Sequence, residues 1–160
     1  MHTKQDLDKL WEKEQNAYRQ QEIGSGVQLF VKKVLQCNAI FALQEGKLST
    51  PDELRQQEFI EEKAKKSKRA DVIIFVDSQI VVPMEIERLG NIEAGEKQLF
   101  QYQLVWDKKT GVLTDGYEWR FYIGKKVVRS FTLPQLLDET ALFLEFWKEY
   151  TQPLNYYLQL

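Results

Sequence analysis

Leu7, Leu10, Trp11, Glu14 and Tyr18 recur at spacings of three and four within a segment otherwise rich in Glu, Gln, Lys and Arg. That period predicts an amphipathic helix over residues 4 to 21. Gly24-Ser25-Gly26 interrupts it. Val27, Phe30, Val31, Val34 and Leu35 then return to helical spacing, with Lys32 and Lys33 on the other face, and predict a second helix ending before Gly46. Ser49-Thr50-Pro51-Asp52-Glu53 has the capping hydroxyls, early proline and acids of a helix start, in a short and polar segment.

From Ala70 the pattern changes from helical spacing to continuous β-branched runs. Residues 72–76 and 80–86 read as two strands joined by Asp77-Ser78-Gln79, an antiparallel hairpin. Pro83 lacks a ladder donor and suggests an edge position or a bulge. Residues 89–91 form a loop and 93–105 a helix. Gly111 to Gly116 and Trp119 to Gly124 give a strand, a turn and a strand, and 127–131 a further strand. A last helix over 134–150 carries Leu136, Leu137, Leu142, Phe143, Phe146 and Trp147. The order predicts one α/β domain over residues 1–160, a mixed central sheet flanked by helices. A helical lead-in covers about 1–48, the core about 65–131, and the closing helix about 134–150.

Composition narrows the chemistry more than the fold. A chain of 160 residues with 43% hydrophobic and 29% charged content can close a core without disulfides or a structural metal. Cys37 and His2 are its single cysteine and histidine, which argues against disulfide frameworks, Cys/His zinc sites and His-activated nucleophiles. Carboxylates, lysines and a bound metal are left. No apolar run reaches the roughly 20 residues of a membrane span and the N-terminus opens polar, so no membrane partner is expected and a cytoplasmic setting is. A net charge of −2 decides nothing about nucleic acid, because local patches matter more than the total.

Asp71 opens the first strand of the hairpin, and Glu85 and Glu87 close the second. The start of one antiparallel strand lies beside the end of its neighbour, so the three acids can converge, and the spacing of two puts Glu85 and Glu87 on one face. Hard oxygen donors of this kind suit Mg²⁺, for which Mn²⁺ can substitute. For any single strand-end acid, solvation is the ordinary explanation. Three acids converging on apolar strands repel one another and call for a compensating cation.

Asp71 followed by Glu85-Ile86-Glu87 resembles the PD-(D/E)xK nuclease superfamily, which has an Asp opening one core strand and Glu/Asp-x-Lys on the next. Two further segments carry the resemblance. Gln98-Leu99-Phe100-Gln101-Tyr102 is a Q-x-x-x-Y that follows the catalytic strand in one branch of the superfamily. Gly111-Val112-Leu113-Thr114-Asp115-Gly116-Tyr117-Glu118-Trp119-Arg120-Phe121-Tyr122 is similar to a strand pair in the N-terminal nuclease domain of type I restriction R subunits and of fused restriction–modification enzymes. Together they span Ala70 to Tyr122. The resemblance implies a restriction-endonuclease-like fold and a Mg-dependent DNA endonuclease domain of a restriction–modification system. It further implies Asp71, Glu85 and Glu87 at the metal, Gln98 and Tyr102 beside it, double-stranded DNA as substrate, and other domains or subunits of such an enzyme as partners.

Position 87 departs from the pattern, with Glu in place of Lys. Some restriction endonucleases of the superfamily work with a second Glu there; the alternative is a catalytically inactive module that binds DNA or a partner. Lys97 is a candidate for a displaced lysine. Lys63, Lys65, Lys66, Lys68 and Arg69 lie just before Asp71 and are either a solvated tether or DNA phosphate contacts. Glu22 is the nearest match to an acid that the family carries on its first core helix, and equally a surface residue before a turn. Trp119 and the aromatics around it fit core packing better than base stacking.

Overall fold

The structure is a computed structural model that describes residues 3–20, 25–41, 48–49, 72–76 and 80–151. Its elements are α1 (Lys4–Gln20), α2 (Ser25–Leu35), α3 (Asn38–Phe41), β1 (Leu48–Ser49), β2 (Val72–Val76), β3 (Ile80–Ile86), a 3-10 turn (Ile92–Gly95), α4 (Glu96–Trp106), β4 (Thr110–Thr114), β5 (Glu118–Ile123), β6 (Lys126–Thr132), α5 (Leu133–Asp138) and α6 (Thr140–Tyr150). The strands form one mixed sheet in the order β1-β2-β3-β4-β5-β6. All neighbours are antiparallel except β3 and β4, which run parallel and are joined through α4. A parallel neighbour cannot be reached by a tight turn, so the crossover helix is the element that this one parallel pair demands.

Helices cover both faces. On one, α1, α2, α3, α5 and α6 share a continuous core with Ile74, Val82, Met84, Ile86, Val112, Trp119, Phe121 and Phe131. Phe121 alone meets the rings of Phe131, Phe143, Phe146, Trp147 and Tyr150 at centroid distances of 5.2 to 6.1 Å. Trp119 is fully buried here, as core packing predicts. On the opposite face α4 lies over β3 and β4, with a smaller cluster of Ile92, Leu99, Leu113 and Tyr122 beneath it. Among the described residues no helix is long and apolar enough to cross a membrane.

Four local readings change. Leu48–Ser49 is a short strand that patterning does not predict, with Ser49 opposite Ile73; the rest of the helix start expected from Ser49 to Glu53 lies outside the described residues, as do residues 50–71 as a whole. Pro83 is on an interior strand, opposite Ile73, and the pairing with β4 starts only at Met84. The proline therefore stands one residue ahead of the two-sided part of β3, where a missing donor is tolerable. The helix expected over 93–105 opens as a 3-10 turn and ends at Asp107, whose φ of 53° is the left-handed conformation that Asp tolerates. The single helix expected over 134–150 is two, broken at Glu139 (φ −110°, ψ 41°), where the Thr140 hydroxyl binds the carbonyls of Leu136 and Leu137. Thr132 and Gln135 form a capping box at the start of α5.

Candidate functional site

The hairpin register sets Val72 opposite Met84, and the parallel ladder sets Glu85 beside Leu113 and Ile86 beside Thr114. Residues paired across a sheet share a face, so Glu85 points to the side of Leu113, which is the α4 side. Glu85 is only 4% exposed. The ladder continues one bond past the strand, from the Glu87 N–H to the Thr114 carbonyl at 2.8 Å. That bond holds Glu87 in strand-like phase, and its side chain comes down beside Leu113 and Gly95 on the face Glu85 occupies.

The two glutamates are hydrogen-bonded through their side chains. Burial pushes the Glu87 carboxyl above the ordinary carboxylate range, and the bond to Glu85 and the charge of Arg88 offset that only in part. Two carboxyl groups in contact need either a shared proton or a cation between them.

Helix α4 supplies the other wall. Leu99, Tyr102, Gln103 and Trp106 are its buried stripe, and the Tyr102 hydroxyl donates to Gln98 Oε1 at 3.4 Å. Tyr102 thus lies in the buried stripe of the helix that packs on β3 and β4, and Gln98, half-buried, stands one turn before it. Gln103 Nε2 donates to the carbonyls of Lys109 and Gly124 at 2.7 and 3.0 Å, which ties the far end of α4 to the β4–β5 hairpin. Lys97 is exposed.

The loop after Glu87 is fastened by Asp115. Its Oδ2 accepts from the Gly90 N–H at 3.0 Å, and its Oδ1 from the N–H groups of Tyr117 and Glu118 at 3.0 and 2.8 Å. The turn expected at Thr114-Asp115-Gly116 is therefore also a clamp on the exit from the acidic strand. Gly116 takes φ of 90° there, which glycine adopts without strain.

Three residues on this face have parts that sequence patterning does not assign. Arg120 lies in one row across the sheet with Glu85 and Leu113, and pairs with Glu118 and, at 3.8 Å, with Glu93. Its alternation with Trp119 and Phe121 was the available signal. Tyr122 donates to Glu96 Oε2 at 2.7 Å, and burial, aided by Glu96, pushes its pKa up to about 12, so it remains a donor at neutral pH. Gly95 is buried where the 3-10 turn becomes α4, a lone glycine within a helical pattern.

Asp71, Glu22, Lys63, Lys65, Lys66, Lys68 and Arg69 lie outside the described residues. Among the described residues no group of three or more His, Cys, Asp or Glu side chains is placed to hold a metal ion. The two described carboxylates offer hard oxygens and carry mutual repulsion, which suits Mg²⁺, an ion that commonly takes one or two protein carboxylates. Compared with family models, curated protein sequences and solved structures, the chain matches none of them.

Proposed function

We propose that the chain is a Mg-dependent DNA endonuclease domain of the PD-(D/E)xK type, working in the cytoplasm as part of a restriction–modification enzyme whose other domains or subunits select the target. The observation that carries this reading is the contact between Glu85 and Glu87 on the α4 face of a mixed sheet, with Gln98 and Tyr102 joined on the helix above that face. It is supported by the resemblance of Asp71, Glu85-Ile86-Glu87, Gln98-x-x-x-Tyr102 and the Gly111–Tyr122 segment to that superfamily.

Asp71, the residue before Val72, together with Glu85 and Glu87, would hold the cation. Mg²⁺, when bound, supplies positive charge that offsets the charge gathering on the phosphoryl oxygens and makes nearby water more acidic. Glu85 offers a buried donor that no bulk water screens. Glu87, whose proton affinity burial raises above that of an ordinary carboxylate, is suited to take a proton from the attacking water at its carboxylate. Gln98 orients water or a phosphate oxygen through its amide, and Tyr102 fixes that amide. The cations Lys63, Lys65, Lys66, Lys68 and Arg69 contribute phosphate attraction without sequence preference.

Nicking of supercoiled plasmid with Mg²⁺, with Mn²⁺ and with chelator tests the proposal. Metal-dependent nicking that disappears in Asp71→Ala and Glu85→Ala is the expected result. Saturable DNA binding with no nicking under either metal would replace it with the inactive binding module that a Glu at position 87 also allows.

A further inference from the structure

We propose that Gly95 is a positioning residue: its missing side chain lets the start of α4 close onto the sheet, and thereby sets where the Glu87 carboxyl stands beside Glu85. Backbone conformation does not require the glycine, since φ −87° and ψ −8° are open to any residue. As the N-cap of α4 the position accepts glycine somewhat better than alanine, a preference that does not depend on what Glu87 is. Space is the constraint that ties the glycine to Glu87. A Cβ placed on Gly95 would lie 2.7 Å from Glu87 Cγ, 2.8 Å from Glu87 Oε1 and 2.7 Å from Leu113 Cδ1, against roughly 3.5 to 4.0 Å for an unstrained carbon contact.

The buried leucine cannot easily yield, and the half-buried Glu87 can do so only by rotating its side chain. Leu113 is fully buried against Ile92, Leu99 and Tyr122. The Glu87 backbone is held by its bond to Thr114, and the loop beyond it by the bond from Gly90 to Asp115. Cγ is only two bonds from that backbone, so it has little room to move without rotation of the whole side chain. A methyl group at position 95 therefore turns the Glu87 carboxyl away from Glu85 or lifts α4 off β3 and β4. The relevance of this placement to phosphodiester chemistry rests on the function proposed above; the placement itself does not.

The test uses the full chain. In urea denaturation the loss of stability caused by Gly95→Ala should be smaller when Glu87 is already Ala, because the offending Cγ is gone, whereas the N-cap preference is common to both backgrounds and cancels. A crystal structure of Gly95→Ala should show the Glu87 carboxyl turned from Glu85 or the start of α4 lifted from the sheet. Where Gly95→Ala alone does not fold, Gly95→Ala with Leu113→Ala removes one of the two obstructions and is compared with Leu113→Ala in the same two ways. An equal stability cost in the wild-type and Glu87→Ala backgrounds overturns the proposal, and so does a structure in which neither the Glu87 carboxyl nor α4 has moved. Mn²⁺ titration by calorimetry accompanies both, with affinity expected to fall about tenfold in Gly95→Ala. Absence of saturable Mn²⁺ binding in the wild type would sink the metal-dependent function while leaving the stability cycle and the variant's structure to decide on Gly95.

Discussion

The two faces of this sheet are built on different terms. The face under α1, α2, α3, α5 and α6 is closed by aromatic rings packed against one another, with Phe121 at the centre of five ring contacts. Among the described residues the face under α4 has a single helix, the buried apolar side chains of Ile92, Leu99 and Leu113, and a set of ionisable groups around them: Glu85, Glu87, Glu96, Glu118, Arg120 and Tyr122. Burying a carboxylate against apolar residues works against folding, and a domain with one face this well packed can tolerate it on the other. The aromatic face supplies rigidity, and the α4 face uses it to hold groups that would otherwise move apart or be solvated.

The two faces should respond to substitution in opposite ways. Phe121→Ala should lower unfolding free energy by about 3–5 kcal/mol, read by urea denaturation, because a fully buried ring leaves a cavity that its neighbours cannot fill. Glu85→Gln should do the reverse of that pattern. Cleavage falls by on the order of a hundredfold, while stability is unchanged or higher, since the neutral isostere no longer has a charge to desolvate. If Glu85→Gln unfolds the domain as Phe121→Ala does, the α4 face is structural and the contrast collapses.

A smaller effect belongs to the clamp between the faces. Asp115→Ala removes the acceptor of three backbone N–H groups and should cost about 1–3 kcal/mol. Amide exchange at Gly90 and Tyr117 should rise with it. Protection at Gly90 equal to that of the wild type would mean that the loop after Glu87 is held by something else.

The pH dependence follows from Glu87, whose carboxyl binds its proton more tightly folded than unfolded. Its contribution to stability is therefore fully present below the ordinary value of 4.5 and is lost as pH rises through the raised folded value. Thermal unfolding without divalent metal should show stability declining over that window, and Glu87→Gln should flatten the decline. A wild-type profile that rises instead through the same window would show that other carboxylates outweigh Glu87. Smallest of all is the salt response. Replacing Lys65 and Lys66 by Gln should reduce the slope of log affinity for duplex DNA against log salt by roughly 2, and an unchanged slope would return that run to the solvent.

Most of the sheet is legible from β-branched runs and their turn residues, because a strand buried on both faces needs nothing subtler than continuous apolar character. Glu85 and Glu87 stand out for the same reason, as charges where the pattern has no use for them. The Gln98–Tyr102 pair is visible as a spacing of four. What escapes is anything set by approach in three dimensions. Gly95 looks like a helix defect until its neighbours are known, and Arg120 looks like an ordinary outward strand position until β4 sets it in line with Glu85. Two-residue β1 is too short to show alternation, and the break at Glu139 has neither Gly nor Pro to announce it.

Tyr150 has a consequence for the order of assembly. Its hydroxyl donates to the Tyr122 carbonyl at 2.6 Å and accepts from the Gly111 N–H at 2.8 Å, so the last turn of α6 pins the backbone of β4 and β5 from the aromatic face. In a chain made from its N-terminus, the strand bearing Glu85 and Glu87 emerges first, and the residue that locks the neighbouring strands emerges more than sixty residues later. A chain stopped before α6 therefore carries Glu85, Glu87 and the strand beside them but lacks the hydroxyl that fixes β4 and β5 from the aromatic face.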